Sequence, residues 1–179
     1  VKMIRFRLLL LLILCWFIST GLAVTIEVPA DFEFIQEAIV AAEDGDLVLV
    51  APGVYSENID FLGKAIRVTS HIHLTNNRTT IDSTIIDGHE EGSVVSFTDE
   101  EDHASVLRGF TLRNGQDWFG GGVFVQEDSS PLLEDLVIAD NTGLTLGGGI
   151  FIGEHSDLMV RRSIIRNNYS RYGGGVASD

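Results

Sequence analysis

Three glycines followed by two small or apolar residues occur three times in the C-terminal half of this chain. The blocks are Gly120-Gly121-Gly122-Val123-Phe124, Gly147-Gly148-Gly149-Ile150-Phe151 and Gly173-Gly174-Gly175-Val176-Ala177. They begin 27 and 26 residues apart. Similar units at a near-constant interval stack on one another rather than closing around one compact core.

The residues between the blocks align as well. Leu107-Arg108-Gly109-Phe110-Thr111-Leu112-Arg113-Asn114-Gly115 matches the nine residues from Leu133 to Asn141, and both match the nine from Val160 to Asn168. Each unit is an apolar run, a polar corner, a linker of four or five residues, the glycine block and a second apolar run. The runs are short, rich in Val, Ile, Leu and Phe, and bounded by Gly, Asn, Asp and Ser, which marks strands joined by turns. None has the length and 3.6-residue period of a helix. One unit per turn of a wide coil fits, with turns stacked ~4.8 Å apart as parallel strands. Glycine at a corner supplies positive φ. Asn114, Asp140, Asn141, Asn167 and Asn168 share another corner, where turn chemistry gives them a structural role. The same register predicts a charge ladder, Arg108–Glu134–Arg161, on the outer face and a stack of Phe124 on Phe151.

These repeats resemble those of right-handed parallel β-helix proteins of the pectin-lyase-like superfamily. The N-terminal half is similar to the start of bacterial members: Ile26-Glu27-Val28-Pro29-Ala30-Asp31-Phe32, Ile35-Gln36-Glu37-Ala38-Ile39, Ala51-Pro52-Gly53-Val54-Tyr55 and Gly63-Lys64-Ala65-Ile66-Arg67-Val68. Ile138-Ala139-Asp140-Asn141 with Gly147-Gly148-Gly149-Ile150 also resembles the repeat of chlamydial polymorphic outer-membrane proteins. The resemblance implies an all-β, right-handed parallel β-helix. It does not select a reaction, since this fold hosts lyases, hydrolases, esterases, epimerases, tailspikes and adhesins. β-Helix lyases use acidic Ca²⁺ ligands and an Arg or Lys base. Arg161, Arg162 and Arg166 with Asp135, Asp140 and Asp157 could supply such a set. No catalytic signature is matched residue by residue, so none is carried over.

Residues 1–23 stand apart. Lys2, Arg5 and Arg7 precede an apolar block from Leu8 to Ile18, and Gly21-Leu22-Ala23 offers small residues at a cleavage site. This reads as a secretory signal peptide, too short in its apolar part for a spanning helix of ~20 residues. The expectation is a secreted, periplasmic or cell-surface protein with no membrane insertion of residues 24–179. Without Lys2, Arg5 and Arg7, nine basic residues face 26 acidic ones, a formal charge of −17. That excess disfavours nucleic acid and anionic membranes, and a polyanionic glycan unless Ca²⁺ bridges the two.

Residues 24–179 then form the β-helix, with repeats at roughly 94–122, 123–149 and 150–179. Residues 31–43 are read as an amphipathic helix, with Ile35, Ala38, Ile39 and Ala42 on one face, Asp31 as N-cap and Gly45 as its end. Laid across an open coil it covers the core and the unpaired edge. The sequence stops inside a repeat with no second cap, and solenoids need terminal caps. A C-terminally truncated coil is expected on that ground.

Chemistry-bearing motifs are few. His71 and His73 alternate and are read as sharing a strand face. Asp99-Glu100-Glu101-Asp102-His103 is an acidic corner loop. Asp99, Glu100 and Asp102 are candidate Ca²⁺ ligands there, against the plainer reading of a solvated turn. Trp118, Phe119, Tyr169 and Tyr172 sit in the linkers before the glycine blocks, where flat rings along one edge would stack on sugar rings. Two functions follow. One is a secreted protein that binds, and as a polysaccharide lyase or glycoside hydrolase cleaves, a polysaccharide or cell-surface glycan. The other is a non-catalytic adhesin or stalk built from the same coils.

Overall fold

The structure is a computed structural model that describes residues 22–179. The basic start and apolar block read as a signal peptide fall in residues 1–21, outside the described residues.

The described chain opens with β1 (Thr25–Val28) and helix α1 (Ile35–Ala41). Strands β2 (Leu47–Val50), β3 (Gly53–Ser56) and β4 (Ile59–Asp60) form the first coil. The second starts with β5 (Arg67–Ser70), leaves the coil as a short helix α2 (Ile72–Thr75) and a 3₁₀ turn (Arg78–Ser83), and returns through β6 (Thr84–Asp87) and β7 (Val95–Phe97). The third is β8 (Val106–Arg108), β9 (Thr111–Arg113), β10 (Gln116–Phe119) and β11 (Val123–Val125). The fourth is β12 (Leu132–Glu134), β13 (Val137–Ala139), β14 (Thr142–Leu146) and β15 (Ile150–Ile152). The fifth is β16 (Met159–Arg161), β17 (Ile164–Arg166), β18 (Tyr169–Tyr172) and β19 (Val176–Ser178).

Like strands stack into sheets: β1-β2-β5-β8-β12-β16, β3-β6-β9-β13-β17, β4-β7-β11-β15-β19, and a smaller β10-β14-β18. The protein is a right-handed parallel β-helix. The linkers before the glycine blocks are the strands of the fourth sheet. The first two coils lack that sheet.

The core is a set of columns, one residue per coil. Val48, Val68, Leu107 and Leu133 are register partners in the first sheet, and Ile86, Leu112 and Ile138 in the second. Val95, Val123 and Ile150 do the same in the third. All of these are buried. Each such side chain contributes about 1.5–3 kcal/mol by leaving water. Phe61 and Phe97 add a buried pair with centroids 4.5 Å apart.

Helix α1 lays Ile35, Ala38 and Ile39 on the open end of this core, with Ala42 buried just beyond its last turn, as the apolar face predicted. Its bounds differ from the expected 31–43. Phe34 is the N-cap residue and provides no side-chain cap. Asp31 instead accepts from the Glu27 amide, which tightens the turn after β1 (2.8 Å). Gly45 lies past the helix end, at φ +91°, and its amide bonds to Ala65. The helix is capped from the first coil. The Glu57 carboxylate accepts from the amides of Ile35 and Gln36, both at 2.9 Å. Lys64 Nζ donates to the carbonyls of Ile39, Val40 and Ala42 at 2.7–2.8 Å.

His71 and His73 do not share a strand. They belong to α2, where His71 is the N-cap and His73 lies in the helix. The polar corner behaves as read. Asn114, Asp140 and Asn167 occupy the left-handed region at φ 56°, 60° and 55°. Asn141 Nδ2 donates to Asn168 Oδ1 (3.0 Å), and Asn141 Oδ1 accepts from the Gly115 amide (2.9 Å), so amides bridge consecutive coils. Among the described residues no helix is long and apolar enough to cross a membrane.

Candidate functional site

The glycine blocks fold the chain sharply between the fourth and third sheets. Gly120, Gly147 and Gly173 hold φ near +63°, and a Cβ on Gly120 would lie 2.4 Å from the carbonyl oxygen of Val123. The tight corner brings the fourth sheet against the outer face of the third. Val123 and Ile150 are buried in the core, so alternation sends Phe124 and Phe151 outward. There the expected Phe124–Phe151 stack forms, with centroids 5.8 Å apart and ring planes 11° from parallel. Phe119 caps it, 5.0 Å from Phe151.

The sequence-derived aromatics therefore separate. Phe119 packs on the phenylalanine stack, whereas Trp118, Tyr169 and Tyr172 are 64%, 70% and 55% exposed. The fourth sheet aligns Gln116 with Thr142 and Tyr169, and Phe119 with Leu146 and Tyr172, across an irregularity in register. Leu144, at the register irregularity of the middle strand, is 45% exposed, and Tyr169 and Tyr172 lie on the last strand of the sheet. Arg171 lies 5.4 Å from the Tyr172 ring centroid, a cation–π contact that positions the ring. The result is an exposed strip of rings and aliphatic side chains on parallel strands, with Tyr hydroxyls and Arg171 as polar handles.

The acidic corner assembles differently from the Ca²⁺ set read in sequence. Asp60, Asp99 and Glu101 bring carboxylate oxygens within 4.8 Å of one another. Asp99 thus remains, while Glu100 and Asp102 stand outside the cluster. Positive φ at Glu100 (62°) turns the chain, and the Asp102 carboxylate accepts from the Ala104 amide (2.7 Å). Asp60 comes from β4, one coil earlier, which no local motif signals. Glu101 is buried and takes hydrogen bonds from the Gly63 amide (2.9 Å), the Asp99 amide (3.0 Å) and Ser129 Oγ (2.8 Å). Burial pushes the Asp60 carboxyl above its usual value; a bond from the Leu62 amide opposes this, and the charges of Glu101 and Asp99 reinforce it. A divalent cation would relieve that repulsion, but Glu101 already serves as a loop organiser.

The predicted charge ladder is present. Glu134 pairs in register with Arg108 and Arg161 and lies 4.0 and 3.7 Å from their guanidinium nitrogens. Its neighbour Asp135 is the stronger centre. Arg162 meets Asp135 in a two-pronged contact, both arms at 2.9 Å, and Arg108 Nε reaches it at 2.9 Å. Arg78, from the excursion between β5 and β6, closes on the same carboxylate. The bonds from Arg162 lead in holding the Asp135 carboxyl down to about 2, with Arg108 adding to them against the opposing effect of burial. Of the lyase-like set, Arg162 and Asp135 meet, and Arg161 joins Glu134. Arg166, Asp140 and Asp157 form no ion pair among the described residues. No local motif signals Arg78 as a partner, since it is 57 residues from Asp135.

Comparison with protein-family models, curated proteins and solved structures finds no match to this chain.

Proposed function

We propose that this is a secreted or cell-surface β-helix protein of the pectin-lyase-like kind that binds polysaccharide on its β10–β14–β18 face. The observation that carries the reading is the exposure of Trp118, Leu144, Tyr169 and Tyr172 on parallel strands of one sheet. Flat rings contact the apolar faces of sugars while hydroxyls at their edge take up polar groups. Successive strands repeat at ~4.8 Å, so the sheet sets exposed apolar side chains at intervals along which a linear polymer can lie. The formal charge of −14 favours a neutral glycan over a polyanion at this face.

The test is affinity electrophoresis and calorimetry of the full chain against a panel of neutral and acidic polysaccharides, with and without Ca²⁺, with product release read in parallel. Binding to at least one neutral member is expected. Trp118→Ala should weaken it about tenfold, the size of one good contact residue, without lowering Tm. No binding across the panel would sink the proposal. Product release would extend it to a lyase or hydrolase.

A second reading, a non-catalytic stalk, is favoured by one observation. The Asn corner, the charge ladder and the glycine blocks are each accounted for by contacts between adjacent coils. Its signature is an intact coil that binds no glycan and releases no product.

A further inference from the structure

A second site lies across the corner between the first and second sheets. Ile72, Asn76, Arg78, Arg108, Asp135 and Arg162 line an open cavity of about 410 Å³. Three guanidinium groups face one carboxylate here, a local surplus of two positive charges in a chain with a formal charge of −14. Glu134 also lies 3.5 Å from Arg162 and 4.0 Å from Arg108, as well as 3.7 Å from Arg161. With Arg161 and Glu134 both counted, four guanidinium groups face two carboxylates and the surplus is still two.

The guanidinium groups are not used up by the protein. Arg162 spends Nε and Nη2 on Asp135. Arg108 spends Nε on Asp135 and Nη2 on Asn76 (3.2 Å). Arg78 spends Nη1 on Asp135 and Nη2 on the Arg162 carbonyl. Among the described residues, Arg162 Nη1, Arg108 Nη1 and Arg78 Nε donate to no protein acceptor. They come from three parts of the chain: the excursion, the third coil and the fifth. A planar carboxylate with two oxygens already sits among them, and it does not neutralise them.

We propose that this cavity binds a tetrahedral oxyanion, a sulfate or phosphate group, held by Arg78, Arg108 and Arg162 beside Asp135. Four oxygens accept donors from several directions, whereas a carboxylate accepts in one plane, and arginine is the side chain best matched to such groups. Two negative charges match the local surplus. The excursion between β5 and β6 then has a purpose beyond packing, because it delivers Arg78. The inference stands apart from the glycan-binding face, which lies on a different sheet.

The experiment uses the full chain in an oxyanion-free buffer. Calorimetry and thermal unfolding are followed with sodium sulfate, sodium phosphate, sodium acetate and sodium chloride at matched ionic strength. Sulfate or phosphate is expected to bind and raise Tm, with acetate and chloride at least tenfold weaker. Arg78→Gln removes one donor and leaves Asp135 its bonds to Arg108 and Arg162, so it should lower oxyanion affinity at least tenfold while lowering Tm in chloride less than Asp135→Asn does. Arg171→Gln, on the other face, should bind as wild type.

Asp135→Asn separates a binding site from a structural ion cluster. It should lower Tm in chloride, and sulfate should restore more of Tm than it adds to wild type, because the anion replaces the lost charge. Equal effects of sulfate and chloride on wild type and Asp135→Asn would overturn the proposal, as would undiminished affinity in Arg78→Gln. Acetate binding as tightly as sulfate would overturn the tetrahedral assignment. Dextran sulfate, set against unsulfated dextran, identifies the source. Competition with free sulfate supports a polymer-borne group, and exclusion of the polymer supports the free ion.

Discussion

Asp135 is only 2% exposed and carries a negative charge that burial alone would penalise. Its carboxyl is held at about 2, below the unfolded value of ~3.9. It therefore contributes stability that is complete above about pH 4 and lost as pH falls through about 2, worth about 2 kcal/mol. Denaturant unfolding at pH 7, 5, 3 and 2 should show wild type and Asp135→Asn farthest apart at pH 5–7 and converging towards pH 2. A gap that stays constant across that range would contradict this account. Gly121 poses a different residue-scale constraint, one of space rather than dihedral angle. A Cβ there would lie 2.4 Å from the carbonyl oxygen of Thr142, on the adjacent coil. Backbone cannot yield as a side chain does, so Gly121→Ala should cost about 1–3 kcal/mol. At 2–4 °C per kcal/mol for a chain of this size, calorimetry should find Tm lower by several degrees.

Helix α1 is seven residues long, too short to persist in water without help. Its apolar face was visible in the 3-4 spacing of Ile35, Ala38, Ile39 and Ala42. Its caps were not, because Glu57 and Lys64 are more than 20 residues away from the groups they satisfy. The fourth sheet was hidden for a related reason. Its strands expose Trp118, Leu144 and Tyr172 and carry Asp117, Gly143 and Ser170 at one register position, so no apolar alternation marks them. The coils themselves were legible because glycine and asparagine act locally, at corners, and repeat with the coil. The side-chain clusters were legible only where they follow that repeat: the ladder and the Phe124–Phe151 stack were, but Arg78 and Asp60, which reach in from other coils, were not. Removing a distant cap tests the helix directly. Glu57→Ala and Lys64→Met should each cost about 1–2 kcal/mol. Hydrogen exchange should quicken at the α1 amides while the strands of the third and fourth coils stay protected. Uniform quickening over the whole chain would mean that α1 and the coils open as one unit.

At the scale of the whole molecule, five coils at ~4.8 Å give a stack about 24 Å long. Residues 22–179 carry all 26 acidic residues and nine of the 12 basic ones, the other three being Lys2, Arg5 and Arg7. At 0.01 M salt the screening length is ~30 Å, longer than the stack, so carboxylates on the first coil repel those on the last. At 0.15 M it is ~8 Å, shorter than two coil spacings, and repulsion reduces to near neighbours. The unfolded chain spreads the same charges farther apart, so low salt penalises the folded state more. The pairs that salt would weaken are few and close. Asp135 is nearly sealed from solvent, and buried pairs are screened least. Repulsion should therefore dominate the response, and Tm should rise as sodium chloride increases from 0.01 to 0.15 M at pH 7. The rise should shrink at pH 4, where part of the carboxylate charge is neutralised. Chloride is the right salt, since sulfate would also report on the arginine cavity. A Tm that falls with chloride would mean that exposed ion pairs such as Arg161–Glu134 outweigh the net charge, and that the ladder contributes more to coil stacking than its 3.7 Å contact suggests.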